Sequence, residues 1–193
     1  DGVPVIQMAE AYATIAAGGQ HRDAIAITKI EDRNGNTVYE HKDAPSQVIS
    51  PEVARATIDV MKGVCKAGGT ASQLAGSVRI KQPIAGKTGT SQECRDLWFC
   101  GITPNLSVAI WFGYIEEVPV RVGGGLGHPY NTAVPLFGDF INLALGDAGV
   151  ADFPDATGTI NFKPNDSWTF KFTSADANTA QTDTLETLET EET

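Results

Sequence analysis

Between residues 84 and 115 three short apolar runs, 84–91, 97–103 and 107–115, follow one another with only the turns at Gln92–Arg95 and Pro104-Asn105 between them. Connections that short cannot carry a crossover, so neighbouring runs must pair antiparallel as a meander. Before it, residues 5–17 place Ile6, Ala9, Tyr12, Ala13 and Ala16 at helical spacing, and Gly18-Gly19 provide a stop. Ser50 as N-cap and Pro51 at the first position open a second helix, with Ala54, Ile58, Met61 and Cys65 along one face and an end at Gly68-Gly69. Residues 24–32 and 37–41 alternate and are joined by Arg33-Asn34-Gly35-Asn36, where Asn-Gly predicts a tight hairpin with positive φ angles. After the meander, Ala133–Leu145 is apolar at Val134, Phe137, Phe140, Ile141 and Leu145 and reads as a closing helix. The pattern is α+β: a mostly antiparallel sheet flanked by helices.

At 193 residues and 41% hydrophobic, the chain is long enough for one core and apolar enough to bury it. No apolar run reaches the roughly 18 residues of a membrane span, and the first residues lack the basic start of a signal peptide. The net charge of −10 argues against a nucleic-acid partner, which needs a basic surface. Six of those charges come from the acids of residues 173–193, a Thr- and Glu-rich stretch without a single Lys, Arg or aromatic residue. Such a stretch cannot offset the entropy of ordering itself and reads as a disordered tail. Cys65, Cys94 and Cys100 have no C-x-x-C spacing, which makes zinc and thioredoxin-like chemistry poor readings. Extended chain would separate Cys94 from Cys100 by about 20 Å, so any disulfide would join Cys65 to one of them. His21 and His41 flank the hairpin and suggest no metal site.

The segment richest in chemistry is Gly86-Lys87-Thr88-Gly89-Thr90-Ser91. A phosphate-binding P-loop would need glycine five residues before Gly86, where Lys81 stands, and a helix after the lysine, where a strand continues instead. Lys-Thr-Gly on a strand has another use: it presents a cation, hydroxyls and a close-approach backbone to an acyl substrate. Around it lie Asp96-Leu97-Trp98-Phe99-Cys100-Gly101-Ile102-Thr103-Pro104 and Val108-Ala109-Ile110-Trp111-Phe112-Gly113-Tyr114. Upstream are Pro4-Val5-Ile6-Gln7-Met8-Ala9-Glu10-Ala11-Tyr12-Ala13 and Gly69-Thr70-Ala71; downstream, Ala133-Val134-Pro135-Leu136-Phe137 runs on to Phe140-Ile141. In this order, from about residue 3 to 145, the chain resembles the transpeptidase domain of class A penicillin-binding proteins, the bifunctional peptidoglycan synthases. The likeness fades from Asp147.

The resemblance implies a β-lactamase/transpeptidase-like fold, of which this chain is the C-terminal portion over 1–146, followed by an extension over 147–172 and the tail over 173–193. It implies the serine D,D-transpeptidase reaction on D-Ala-D-Ala stem peptides, penicillin binding, no cofactor, and a place outside the cytoplasmic membrane, reached through an anchor on the parent protein. Lys87 would supply positive charge and help proton relay. Thr88 and Thr90 would donate to the substrate carboxylate, Gly89 would permit close approach, and the Thr90 N–H would form half of the oxyanion hole. The family also needs S-x-x-K and S-x-N. None of the eight serines, Ser46, Ser50, Ser72, Ser77, Ser91, Ser107, Ser167 or Ser174, has Lys three places on or Asn two places on. The expectation is a chain inactive alone, whose missing half comes from the N-terminal remainder of the same transpeptidase, as a continuous or separate polypeptide. A serine β-lactamase or D,D-carboxypeptidase of the same fold, and a non-catalytic wall-interaction module, stay open as rival readings. Asp96, Trp98, Phe99 and Trp111 read as packing residues. Gly123–Gly127 with His128 fits either a mobile loop at the cleft or an ordinary exposed loop with an exposed histidine.

Overall fold

The computed structural model describes residues 2–78 and 80–155 in full and the backbone of 158–161 and 169–172. The acidic tail lies outside the described residues. Helix α1 (Val5–Ala16) is followed by β1 (Gln20–His21), β2 (Lys29–Glu31), β3 (Thr37–Glu40), β4 (Ser46–Gln47) and α2 (Pro51–Cys65). The meander comprises β5 (Ala85–Thr90), β6 (Leu97–Ile102) and β7 (Ser107–Phe112). Then come the short pair β8 (Arg121–Val122) and β9 (Gly125–Leu126), α3 (Ala133–Leu145), and the pair β10 (Gly158–Asn161) and β11 (Thr169–Phe172). All pairings are antiparallel, and the central sheet has the order β5-β6-β7.

Register divides the central sheet into two faces. Thr88, Phe99 and Ile110 stand in one row, and Lys87, Cys100 and Ala109 in the next, so they point to opposite sides. The Phe99 face packs on α3: Phe99 and Phe137 are fully buried, with ring centroids 4.9 Å apart and edge to face. Gly101 lies beneath that ring, where a Cβ would come within 2.6 Å of Phe137. The other face carries α1, and Tyr12, Ile15 and Ala16 close over Ala85, Ile102, Ile58 and Met61. Helix α2 packs against β5 and feeds both clusters, Ile58 and Met61 to one side and Cys65 to the other. Arg55 of α2 then holds the chain after α3, donating to the carbonyls of Phe153 and Pro154 and pairing with Asp155.

Ser50 caps α2 as expected, its hydroxyl accepting from the Val53 N–H at 3.3 Å. The turn ending α1 needs both glycines: Gly18 and Gly19 have φ of +67° and +87°, and a Cβ on Gly19 would collide with the Ile49 carbonyl.

Several burial and turn expectations are corrected. Ile6 and Ala13 are exposed, whereas Tyr12, Ile15 and Ala16 carry the contact of α1 with the core. Phe140 is 45% exposed, since the contact with the sheet is spent on Val134, Phe137 and Ile141. The hairpin forms only at Lys29–Glu31 and Thr37–Glu40, because neither of its faces meets the core and pairing persists only beside the turn. That turn is not the doubly positive form: Gly35 alone has positive φ, and the Asp32 carboxylate collects the N–H groups of Asn34 and Asn36. Gly123 and Gly124, by contrast, do form a two-residue turn with both φ positive, at +60° and +86°, between β8 and β9. His128 is half-buried and stacked on Tyr130 instead of exposed.

Candidate active site

Strand β5 pairs on one side only, and no strand covers its outer edge among the described residues. On that edge Lys87 and Thr90 are exposed and Thr88 and Gly89 half-buried. The strand forms one wall of a groove of about 750 Å³. Opposite it stands the start of α1, with Val3, Pro4, Val5, Met8 and Tyr12. The floor is the Lys87 face of the sheet, including Trp98, Cys100 and Trp111. All four residues expected from the motif therefore meet in one cleft, whereas His128 and Gly123–Gly127 do not line it. A Cβ on Gly89 would come 3.1 Å from the Cβ of Trp98, so the glycine lets the edge lie tight on its neighbour.

The groups around the cleft are held by local bonds. The Lys87 ammonium donates to the Thr88 carbonyl at 2.8 Å, and the Thr88 hydroxyl lies 2.8 Å from that of Thr70. At the strand's end the Ser91 N–H donates to the Asp96 carbonyl while the Asp96 N–H donates to the Ser91 hydroxyl. The Asp96 carboxylate also accepts from the Trp111 indole at 2.9 Å. Within the turn thus clamped, Glu93 and Cys94 both adopt φ of 56°, a strained state for residues with side chains. Burial of Cys94 with Leu97 and Val120 accompanies it.

The sequence reads Trp98, Phe99 and Trp111 alike as packing residues. Only Phe99 is in the core; the tryptophans, with centroids 6.4 Å apart, face the groove, and Trp111 is 38% exposed. Period-two alternation carries the signal that finds them, because Gly89, Trp98 and Trp111 share a row once the register is known.

All three cysteines are buried free thiols. Burial pushes Cys65 and Cys100 up to about 11 from 9.0. Burial also raises the Tyr12 phenol, with charge on neighbouring Cys100 adding to the effect. Below pH 9 both thiols are protonated whether the chain is folded or not, so their contribution is fully present. Between pH 9 and about 11 the unfolded chain releases protons that the folded chain retains, and stability falls. Denaturant midpoints across this range should fall with pH in the natural chain and fall less steeply in a Cys65→Ala/Cys100→Ala variant. Among the described residues no group of three or more His, Cys, Asp or Glu side chains is placed to hold a metal ion. No helix among them is long and apolar enough to cross a membrane.

A family model described as the penicillin binding protein transpeptidase domain matches residues 1–119. The chain belongs to that family. Penicillin-binding protein 1A of Clostridium novyi is 43% identical over 145 residues, covering 75% of this chain and 16% of that protein. Among solved structures, the transpeptidase fold recurs in the penicillin-binding protein PonA1 from Mycobacterium tuberculosis, with a TM-score of 0.69 and 27% identity over 80% of this chain and 41% of that one. PonA1 has also been solved in complex with penicillin V. Penicillin-binding protein 1A from Haemophilus influenzae shares the fold at a TM-score of 0.72 and 21% identity, over 88% of this chain and 32% of that one. The chain spans only 16–18% of the length of the first curated relatives it matches. Its α+β fold matches part of the penicillin-binding transpeptidase structures.

Proposed function

We propose that this chain forms the Lys-Thr-Gly side of a serine D,D-transpeptidase that cross-links peptidoglycan outside the cytoplasmic membrane, and that it does not acylate by itself. The observation that carries this reading is an edge strand lining an open groove with Lys87, Thr88, Gly89 and Thr90, in which Ser91 is the only serine among the described residues. Ser91 has Cys94, not lysine, three places on, and its hydroxyl is engaged by Asp96. A transpeptidase nucleophile needs a base beside it. The serine and its lysine are therefore assigned to another part of the transpeptidase, which completes the groove. The exposed Val3 and Val5, which line the groove, suit such a neighbour.

In the completed site the serine oxygen attacks the carbonyl of the penultimate D-alanine, and the bond to the terminal D-alanine breaks. An amine of a neighbouring stem peptide then takes the acyl group and frees the serine. Lys87 provides positive charge beside the reacting groups, Thr88 and Thr90 donate to the terminal carboxylate, and Gly89 keeps the approach clear. The N–H of Thr90 supports the oxyanion, where charge develops in the transition state. A β-lactam enters as an analogue of the same peptide.

The reaction is tested on the complete transpeptidase with pentapeptide-bearing glycan strands, following D-alanine release and cross-linked product together. The expected result is D-alanine release matched by cross-links. Release accompanied only by free tetrapeptide would make the protein a D,D-carboxypeptidase, and rapid turnover of a β-lactam would make it a β-lactamase.

A further inference from the structure

Thr88 lies in the row of Phe99, on the face of β5 opposite Lys87, and its hydroxyl meets that of Thr70 at 2.8 Å. Thr70 belongs to none of the strands. It sits in the connection after α2, and that connection is tightly fixed. The Gly69 N–H donates to the Lys66 carbonyl and the Ala71 N–H to the Val64 carbonyl, both at 2.9 Å. Ala71 is fully buried, and a Cβ on Gly69 would collide with the Val64 carbonyl. Thr70 is exposed between these two anchored neighbours, and among the described residues its hydroxyl has Thr88 as its one hydrogen-bond partner.

A threonine hydroxyl has one proton to give and two lone pairs that accept. If Thr88 donates to Thr70, that single proton points away from the groove. If Thr70 donates, Thr88 keeps its proton for a ligand and its side chain is held in one rotamer. A carboxylate in the groove can only accept, so it selects the second arrangement, in which each bond polarises the next. We propose that Thr70 is a positioning residue for the substrate carboxylate: its hydroxyl donates to Thr88 and aims the Thr88 proton at the carboxylate of the D-Ala-D-Ala terminus or of a β-lactam. This rests on the reading of Thr88 given under Proposed function. Thr70 itself touches no substrate.

The test uses the complete transpeptidase and separates the pre-covalent dissociation constant from the acylation rate, for a penicillin and for its methyl ester. Thr70→Val is expected to weaken pre-covalent binding of the free acid roughly tenfold, the scale of one weakened hydrogen bond to a charged group. The ester should be little affected, and Thr70→Ser should recover most of the loss. In a Thr88→Val background the Thr70 substitution should add nothing. Unchanged binding in Thr70→Val overturns the proposal, as does an equal loss for acid and ester, which would mark a merely structural role. A complete transpeptidase of natural sequence that forms no penicillin adduct would overturn the proposed function as well, whereas normal acylation with a silent Thr70 overturns this inference alone.

Discussion

Replacing Lys87 with alanine in the complete transpeptidase is expected to lower the second-order rate of acylation by penicillin roughly 10²–10⁴-fold, the range of a positioned proton-transfer group. The loss should appear in chemistry and not in folding, because Lys87 is exposed on an edge strand and, among the described residues, its ammonium bonds only to the carbonyl of the next residue. That contact is local and weak in water, so a ligand or a neighbouring hydroxyl can replace it at little cost. Lys87→Arg should restore charge but not rate, since the planar guanidinium cannot occupy the place of a compact ammonium. Stopped-flow labelling measures the rate. An alanine variant within about threefold of the natural rate, far below that range, would leave Lys87 as an ordinary surface lysine.

Phe137→Ala should produce the largest loss of stability, about 3–5 kcal/mol. Phe137 is fully buried, stands edge to face with Phe99 and covers Gly101, so its ring joins α3 to the middle strand of the sheet. A loss of that size is a large part of the 5–15 kcal/mol typical of a domain. Phe140 offers the control: it is on the same helix and of the same chemistry, but 45% exposed. Phe140→Ala should change stability by no more than about 0.5 kcal/mol. Urea midpoints at unchanged m-value measure both, and equal effects would contradict the packing described.

The meander, its turns and the three helices were legible in the chain because local rules and tertiary packing agree there. Ser50 and Pro51 mark the start of α2, and the short turns leave β5, β6 and β7 no pairing but the antiparallel one. Faces were harder. Phe140 belongs to the apolar pattern of α3 as much as Phe137 does, and only the position of the sheet decides which is covered. Isolated alternation in residues 24–32 promised a longer strand than a hairpin without a core can keep. Within the site, the Lys-Thr-Gly sequence located Lys87, Thr88, Gly89 and Thr90. The tryptophans of the groove and the contact of Thr70 with Thr88 depend on register and on a connection 18 residues away, which no local pattern encodes.

Fluorescent-penicillin labelling followed by peptide mapping will show whether the nucleophile lies outside residues 1–193, as proposed. The chain alone should form no adduct, whereas the complete transpeptidase should carry one label, on a serine followed three places later by lysine and absent from this chain. A covalent adduct on Ser91, or on any other residue of this chain, would contradict the account.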